Sequence, residues 1–250
     1  MGRTSETRLA IFSDVHGNIH ALRAVLDQIK REAVDQVYCL GDVVGYGAFP
    51  NDVIELLHQT QIPTVMGNYD DGTGFDRDEC GCAYRDEEHR RLGDRSFQWT
   101  KAHVTAENKA LLRSFRPEIR FELDGLKFLL VHGSPRRVNE YLYEDRPEAT
   151  FRRIAEAANG DVIVCGHTHR PYVKEIGGVT FLNVGSAGYP KDGDPRGCYA
   201  LVEVRQGKAG VTFKRVAYDV GAATGAIRQT ELPHQFADEF ERGGVAVALT

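Results

Sequence analysis

No stretch of this chain is apolar for long enough to cross a membrane. Met1 to Arg8 also lacks the apolar segment of a signal peptide. The expectation is a cytoplasmic protein with no membrane partner. A basic surplus is missing too. There are 31 Lys and Arg against 36 Asp and Glu, for a net charge of -5. A general nucleic-acid surface would be basic, so stable nucleic-acid binding is not expected. Cysteine is sparse, with five residues in 250, and does not form the framework of a disulfide-stapled fold. Cys39, Cys165 and Cys198 fall in strand-like apolar runs, where free cysteine behaves as a small hydrophobe. Cys80-Gly81-Cys82 has the spacing of neither the usual zinc pairs nor the usual redox pairs and reads as two thiols in a loop. Repeats, heptads and linkers are absent, and 250 residues suit one domain, 1–250, with a sizeable core.

What the chain does have is five short apolar runs, each leading into a residue that can bind a metal or a phosphate. Leu9 to Phe12 precedes Asp14 and His16. Val37 to Leu40 precedes Asp42. Ile62 to Met66 precedes Asn68. Phe128 to Val131 precedes His132, and Val162 to Cys165 precedes His167 and His169. Each run has the length of a buried strand. Polar groups at the carboxyl ends of such strands converge on one crevice in an α/β sheet. The converging set holds two carboxylates, one amide and four imidazoles. That is too many donors for one ion, and it suits two that share a carboxylate. Mixed imidazole and oxygen donors favour manganese, iron, zinc or nickel.

Taken in order, Asp14-Val-His16, Gly41-Asp-Val-Val-Gly45, Gly67-Asn-Tyr-Asp70, His132-Gly133 and Gly166-His-Thr-His169 resemble the calcineurin-like metallophosphoesterase superfamily. Within it the chain is most similar to the small bacterial and archaeal phosphodiesterases. Any one block is weak, but five in order are specific. The resemblance implies a four-layer α/β/β/α sandwich with two mixed sheets. It implies that Asp14, His16 and His169 hold one divalent ion, that Asn68, His132 and His167 hold the other, and that Asp42 bridges them while a bridging hydroxide attacks phosphorus. Two departures stand out. Tyr69 occupies the position where many members have the His proposed to protonate the leaving oxygen, and a phenol with a pKa near 10 is a poor donor. The Asp-Arg-Gly that follows the Gly-Asp block of Ser/Thr protein phosphatases is also missing. Here the sequence is Val43-Val-Gly-Tyr-Gly47.

The expected function is therefore dimetal-dependent hydrolysis of small phosphoesters, foremost phosphodiesters. The alternatives are a phosphomonoesterase, a nucleotide or protein phosphatase, and a metal-binding interaction scaffold. A nucleotide substrate and a homo-oligomer stay open. A decayed scaffold site should lack ligands, whereas all seven are present.

Elsewhere, Leu22, Val25, Leu26 and Ile29 recur at helical spacing after an Asn18 cap. Pro50 suits the first turn of a second helix. The acidic, glycine-rich segment from Asp70 to about Glu88 reads as a loop, followed by helix to about Arg113. Alternating segments near 121–123, 172–176, 179–182, 199–204 and 211–216 read as strands of a second sheet. Hairpin turns are expected at Gly177-Gly178 and Gln206 to Lys208. Two short helices from about 219 split near Leu232-Pro233. His58, His89, His103 and His234 read as surface residues, and His20 as a solvated helix start. Gly185 to Gly188 could offer backbone amides to phosphate. Tyr46 and Tyr189 could stack on a nucleoside or pack in the core.

Overall fold

The computed structural model describes residues 6–84 and 86–244, so the readings of Met1 to Ser5 lie outside the described residues. Two mixed sheets face each other. The first has the order β2 (Gln36–Cys39), β1 (Thr7–Phe12), β8 (Gly197–Arg205), β9 (Lys208–Val216), with β1 parallel to β2 and antiparallel to β8. The second has the order β3 (Ile119–Leu123), β4 (Leu126–Leu130), β5 (Val162–Cys165), β7 (Val179–Asn183), β6 (Tyr172–Ile176).

The two-residue period of these strands divides their side chains between separate cores. From β1, Leu9 and Ile11 point to the layer between the sheets, where they meet Phe128, Leu130, Val162 and Val164. Ala10 and Phe12 point the other way, onto helices α1 (Ile19–Arg31) and α2 (Pro50–Thr60). Leu129, Ile163 and Cys165 on the far face of the second sheet pack under α6 (Glu148–Ala158). The result is the expected α/β/β/α sandwich. Asn18 caps α1 by accepting from the Ala21 amide at 3.1 Å, and Pro50 opens α2. Both hairpin turns form on left-handed pairs, Gly177-Gly178 and Gln206-Gly207.

Three local expectations are corrected. Ile62 to Met66 forms only isolated bridges, Cys39 with Thr64 and Val65 with Arg116. Pro63 has no N–H to extend a ladder. The last two strands join the first sheet and not the second. β8 is buried along most of its length on both faces, which suits a central position beside β1. The segment after Gly67 is not a loop at its start. Asn68–Gly74 forms helix α3, followed by α4 (Glu87–His103) and α5 (Ala106–Arg113). Its glycines serve close packing: a Cβ on Gly72 would come within 2.8 Å of the Phe97 ring. The C-terminal helices are α7 (Val220–Arg228) and α8 (Gln235–Glu241). Among the described residues no helix is long and apolar enough to cross a membrane.

Candidate metal centre

The loops that leave β1, β2, β4 and β5, together with the N-terminus of α3, meet at one end of the sandwich. They bring together all seven residues singled out from the sequence. Each is buried, and none is more than 3 % exposed. Asp14, His16 and His169 form one group and Asp42, His132 and His167 a second, each with donor atoms within 4.8 Å of one another. Asn68 joins the second group, its Oδ1 lying 3.1 Å from His132 Nε2. Asp42 Oδ2 lies 3.3 Å from His132 Nε2 and 3.8 Å from His16 Nε2, so it faces both groups.

Backbone groups fix which atoms face inward. The Nδ1–H groups of His16 and His132 donate to the carbonyls of Val44 and Leu40 at 2.9 and 2.8 Å, and that of His169 donates to Tyr189 O. A backbone acceptor at Nδ1 leaves the Nε2 lone pair for the centre. His16 Nε2 and His169 Nε2 then face each other at 3.2 Å. Two lone pairs at that distance repel unless a cation lies between them. The carboxylates are oriented in the same way. Asp14 Oδ2 accepts from the His167 amide at 2.9 Å and Asp42 Oδ1 from the Tyr69 amide at 2.8 Å. Asp14 Oδ1 has no hydrogen-bond partner among the described residues, yet it lies 3.4 Å from His169 Nε2. An orphaned buried carboxylate oxygen beside inward imidazole nitrogens fits a divalent cation.

Electrostatics agree with that donor set at three imidazoles and Asp42, while burial raises Asp14 to about 7. Burial lowers the pKa of His16 to about 4 and that of His167 to about 3, and it takes His169 well below the ordinary value. These rings are neutral, as metal donors must be. Burial opposes ionisation of Asp42, but the charge of His132 and its hydrogen bond outweigh it and hold the carboxyl below the usual range. Burial also opposes charge on His132, and there Asp42 and Asp14 win, raising it to about 9, so an ion bound at Nε2 would take the place of that proton. The centre is built to hold positive charge.

Backbone strain marks the same residues. Asp14, His16, Asp42, His167 and His169 all have φ between 49° and 63°, the left-handed region that non-glycine residues rarely adopt. Glycines admit the close approaches around them. A Cβ on Gly67 would lie 2.1 Å from Asp42 Oδ1, and one on Gly166 would lie 2.6 Å from Asp14 Oδ2.

Sequence reasoning passed over several residues that set this geometry. Asp70, read as the start of a loop, accepts from the amides of Asp42, Val43 and Gly67 at 2.8 to 2.9 Å and locks two motif blocks together. Its Gly-Asn-x-Asp spacing was the available signal. Cys80 and Cys82 are free thiols, but they are not remote from the site. Asn68 Nδ2 donates to Cys80 O at 3.0 Å and to Cys82 Sγ at 3.2 Å, which turns Oδ1 toward His132. The Tyr141 ring lies 4.0 Å from that of His167.

Other expectations resolve differently. The amides of Ala187 and Gly188 donate to Ser13 O and Asp14 O, so they brace the β1 loop and are not offered to phosphate. Tyr46 and Tyr189 are buried against His16, with centroids 4.9 and 6.0 Å away, and do not form an open stacking platform. His58, His103 and His234 are exposed, whereas His89 is half-buried near Glu239. His20 is half-buried against Phe49.

Tyr69 is 1 % exposed and packs against Tyr46 and Phe97, and its hydroxyl has no partner among the described residues. Burial pushes its pKa well above 10. Tyr69→Phe should leave kcat/KM within about tenfold of wild type for every leaving group, far from the roughly 10²–10⁴-fold loss of a general acid. It should not lower the Tm, because an unpaired buried hydroxyl contributes no stability. A rate loss that steepens with leaving-group pKa would identify Tyr69 as the proton donor.

This fold, with two adjoining donor groups at the ends of its strands, defines a metal-dependent phosphoesterase. The profile described as the calcineurin-like phosphoesterase superfamily domain matches residues 8–207, and the chain belongs to that superfamily. It is 31% identical over 245 residues to the uncharacterized protein MJ0912 of Methanocaldococcus jannaschii, across 91% of this chain and 95% of that one. A metallophosphoesterase from Sphaerobacter thermophilus of known crystal structure is 30% identical, with a TM-score of 0.75 over 96% of this chain and 100% of its own. The hypothetical protein PH1004 from Pyrococcus horikoshii has a TM-score of 0.81 at 21% identity over the same shares, a likeness of fold.

Proposed function

We propose that this enzyme hydrolyses small phosphodiesters with two divalent ions bound. In this reading Asp14, His16 and His169 hold one ion, Asn68, His132 and His167 hold the other, and Asp42 bridges them. The observation that carries it is Asp42 Oδ2, which faces His16 and His132 at once while Oδ1 is tied to the Tyr69 amide. Two such ions supply a hydroxide nucleophile near neutral pH and positive charge for the phosphoryl oxygens. The protein's part is to keep His16, His167 and His169 neutral, aim its carboxylates and exclude bulk water.

The diester preference rests on two features. The proton-donor position is taken by a buried phenol, which favours leaving groups that need little protonation. The arginine of the protein phosphatases is missing after the Gly-Asp block, and a singly charged diester demands less cationic help than a dianionic monoester. Manganese, iron, zinc and nickel all suit these mixed imidazole and oxygen donors. The five free thiols support a reducing, cytoplasmic setting.

Bis(p-nitrophenyl) phosphate and p-nitrophenyl phosphate, assayed with each of the four metals, test the proposal. The diester should be cleaved with the higher kcat/KM under the best metal. A consistent preference for the monoester would assign the enzyme to the phosphomonoesterases instead.

A further inference from the structure

Lys191 lies on the loop after β7, within the wall of the metal centre. Its amide donates to His169 O at 3.3 Å. Its ammonium lies over two aromatic rings, 4.8 Å from the centroid of Tyr189 and 5.7 Å from that of Tyr46. Both rings also meet His16 edge-on, and Tyr189 meets His169 at 5.4 Å. The ammonium is thereby held beside the His16–His169 pair.

Lys191 is half-buried, so its ammonium keeps some contact with solvent. Among the described residues its ammonium has no ion pair and no hydrogen bond. Glu239, the nearest acidic candidate outside the centre, is engaged elsewhere, by the Tyr189 hydroxyl and by His89 at 3.7 Å. Aromatic faces attract a cation but do not replace a counter-ion.

The protein nevertheless fixes this side chain firmly. Phe236 packs on Tyr46 and Phe240 on Tyr189, with centroids 4.8 and 4.7 Å apart. Gly244 lies so close to the stem that a Cβ there would be 2.7 Å from Lys191 Cγ. The C-terminal helix α8 thus buttresses a lysine whose side chain makes no hydrogen bond.

We propose that Lys191 binds a non-bridging oxygen of the substrate phosphoryl group, completing a phosphate site whose other cations are the two metals. The proposal rests on the dimetal reading above. An anion delivered to the centre gives the ammonium its missing counter-charge. It also places a cation where the chain lacks the arginine of the protein phosphatases and where the Tyr69 hydroxyl is buried. Charge-assisted hydrogen bonds to phosphate are among the strongest available to a side chain. Lys191 would act on binding as well as on rate, since the same oxygen is present in substrate and product.

The test is the affinity of inorganic phosphate for zinc-loaded protein by titration calorimetry, alongside metal analysis and diester kinetics. Lys191→Met should keep two metals per chain and lose roughly 10- to 100-fold in phosphate affinity, with a comparable fall in kcat/KM. Lys191→Arg should recover part of both. Wild-type phosphate affinity in a two-metal Lys191→Met protein would overturn the proposal. Should that variant lose its metals or fail to fold, the wild type decides. The Lys191 Nζ resonance in lysine-labelled, zinc-loaded protein, assigned through Lys191→Arg, should shift on phosphate addition, and a static resonance overturns the proposal. A two-metal wild type that neither binds phosphate nor cleaves any phosphoester would instead overturn the dimetal phosphoesterase reading itself.

Discussion

Asp42→Asn should abolish phosphoester hydrolysis more completely than His16→Ala or His169→Ala, and metal content should fall with it. The carboxylate is the group that faces both donor sets, through Oδ2 at 3.3 Å from His132 and 3.8 Å from His16. An amide at this position keeps the shape and removes the charge. Two cations a few ångströms apart repel, and a shared anion offsets that repulsion. The amide would also turn an NH₂ group toward the site or surrender the bond from the Tyr69 amide. Several kcal/mol of charge stabilisation is at stake, which is on the order of 10³-fold in rate. Loss of an outer ligand should empty mainly its own side. Metal analysis and kcat/KM on the three variants check this. An Asp42→Asn protein with two metals and near-normal turnover would remove Asp42 from the bridging role.

Protein purified without chelator should carry close to two transition-metal ions per chain, and stripping them should abolish hydrolysis until metal is restored. The metal-free form should also melt at a lower temperature. His16 Nε2 and His169 Nε2 face each other at 3.2 Å, and Asp14 Oδ1 is buried without a hydrogen bond. The fold holds these groups together against their repulsion, so a cation that binds only the folded state stabilises it. At a thousandfold excess over Kd the gain is about 4 kcal/mol. Elemental analysis and thermal melts with and without chelator measure both effects. A folded, active protein from which metal is wholly absent would rule the dimetal reading out.

Much of this enzyme could be read from its residues in order. The runs before Asp14, Asp42, His132 and His167 are strands or strand ends because they are short, apolar and bounded by turn residues, and these are local properties. The hairpin glycines, the Asn18 cap and the Pro50 helix start are local in the same sense. Asp70 was misplaced because its partners, the amides of Asp42 and Val43, lie nearly thirty residues away. An acidic, glycine-rich string looks like a loop until Phe97 and α5 pack against its glycines. The pair Cys80 and Cys82 looked inert because nothing in its own spacing points to Asn68.

By itself, then, the sequence determined the donor inventory, the strand ends that carry it and the superfamily it resembles. Each of those is written in contiguous motifs. Only the tertiary structure decided how the strands divide between the two sheets, since pairing depends on which faces other segments leave to be covered. Only the tertiary structure turned the Nε2 atoms inward, through carbonyls of residues remote in the chain. It alone buried the Tyr69 hydroxyl out of reach and brought Lys191, 22 residues beyond His169 in the chain, to the edge of the centre without a counter-ion. The common reason is that burial, lone-pair direction and charge pairing belong to neighbours in space, and neighbours in space are chosen by packing.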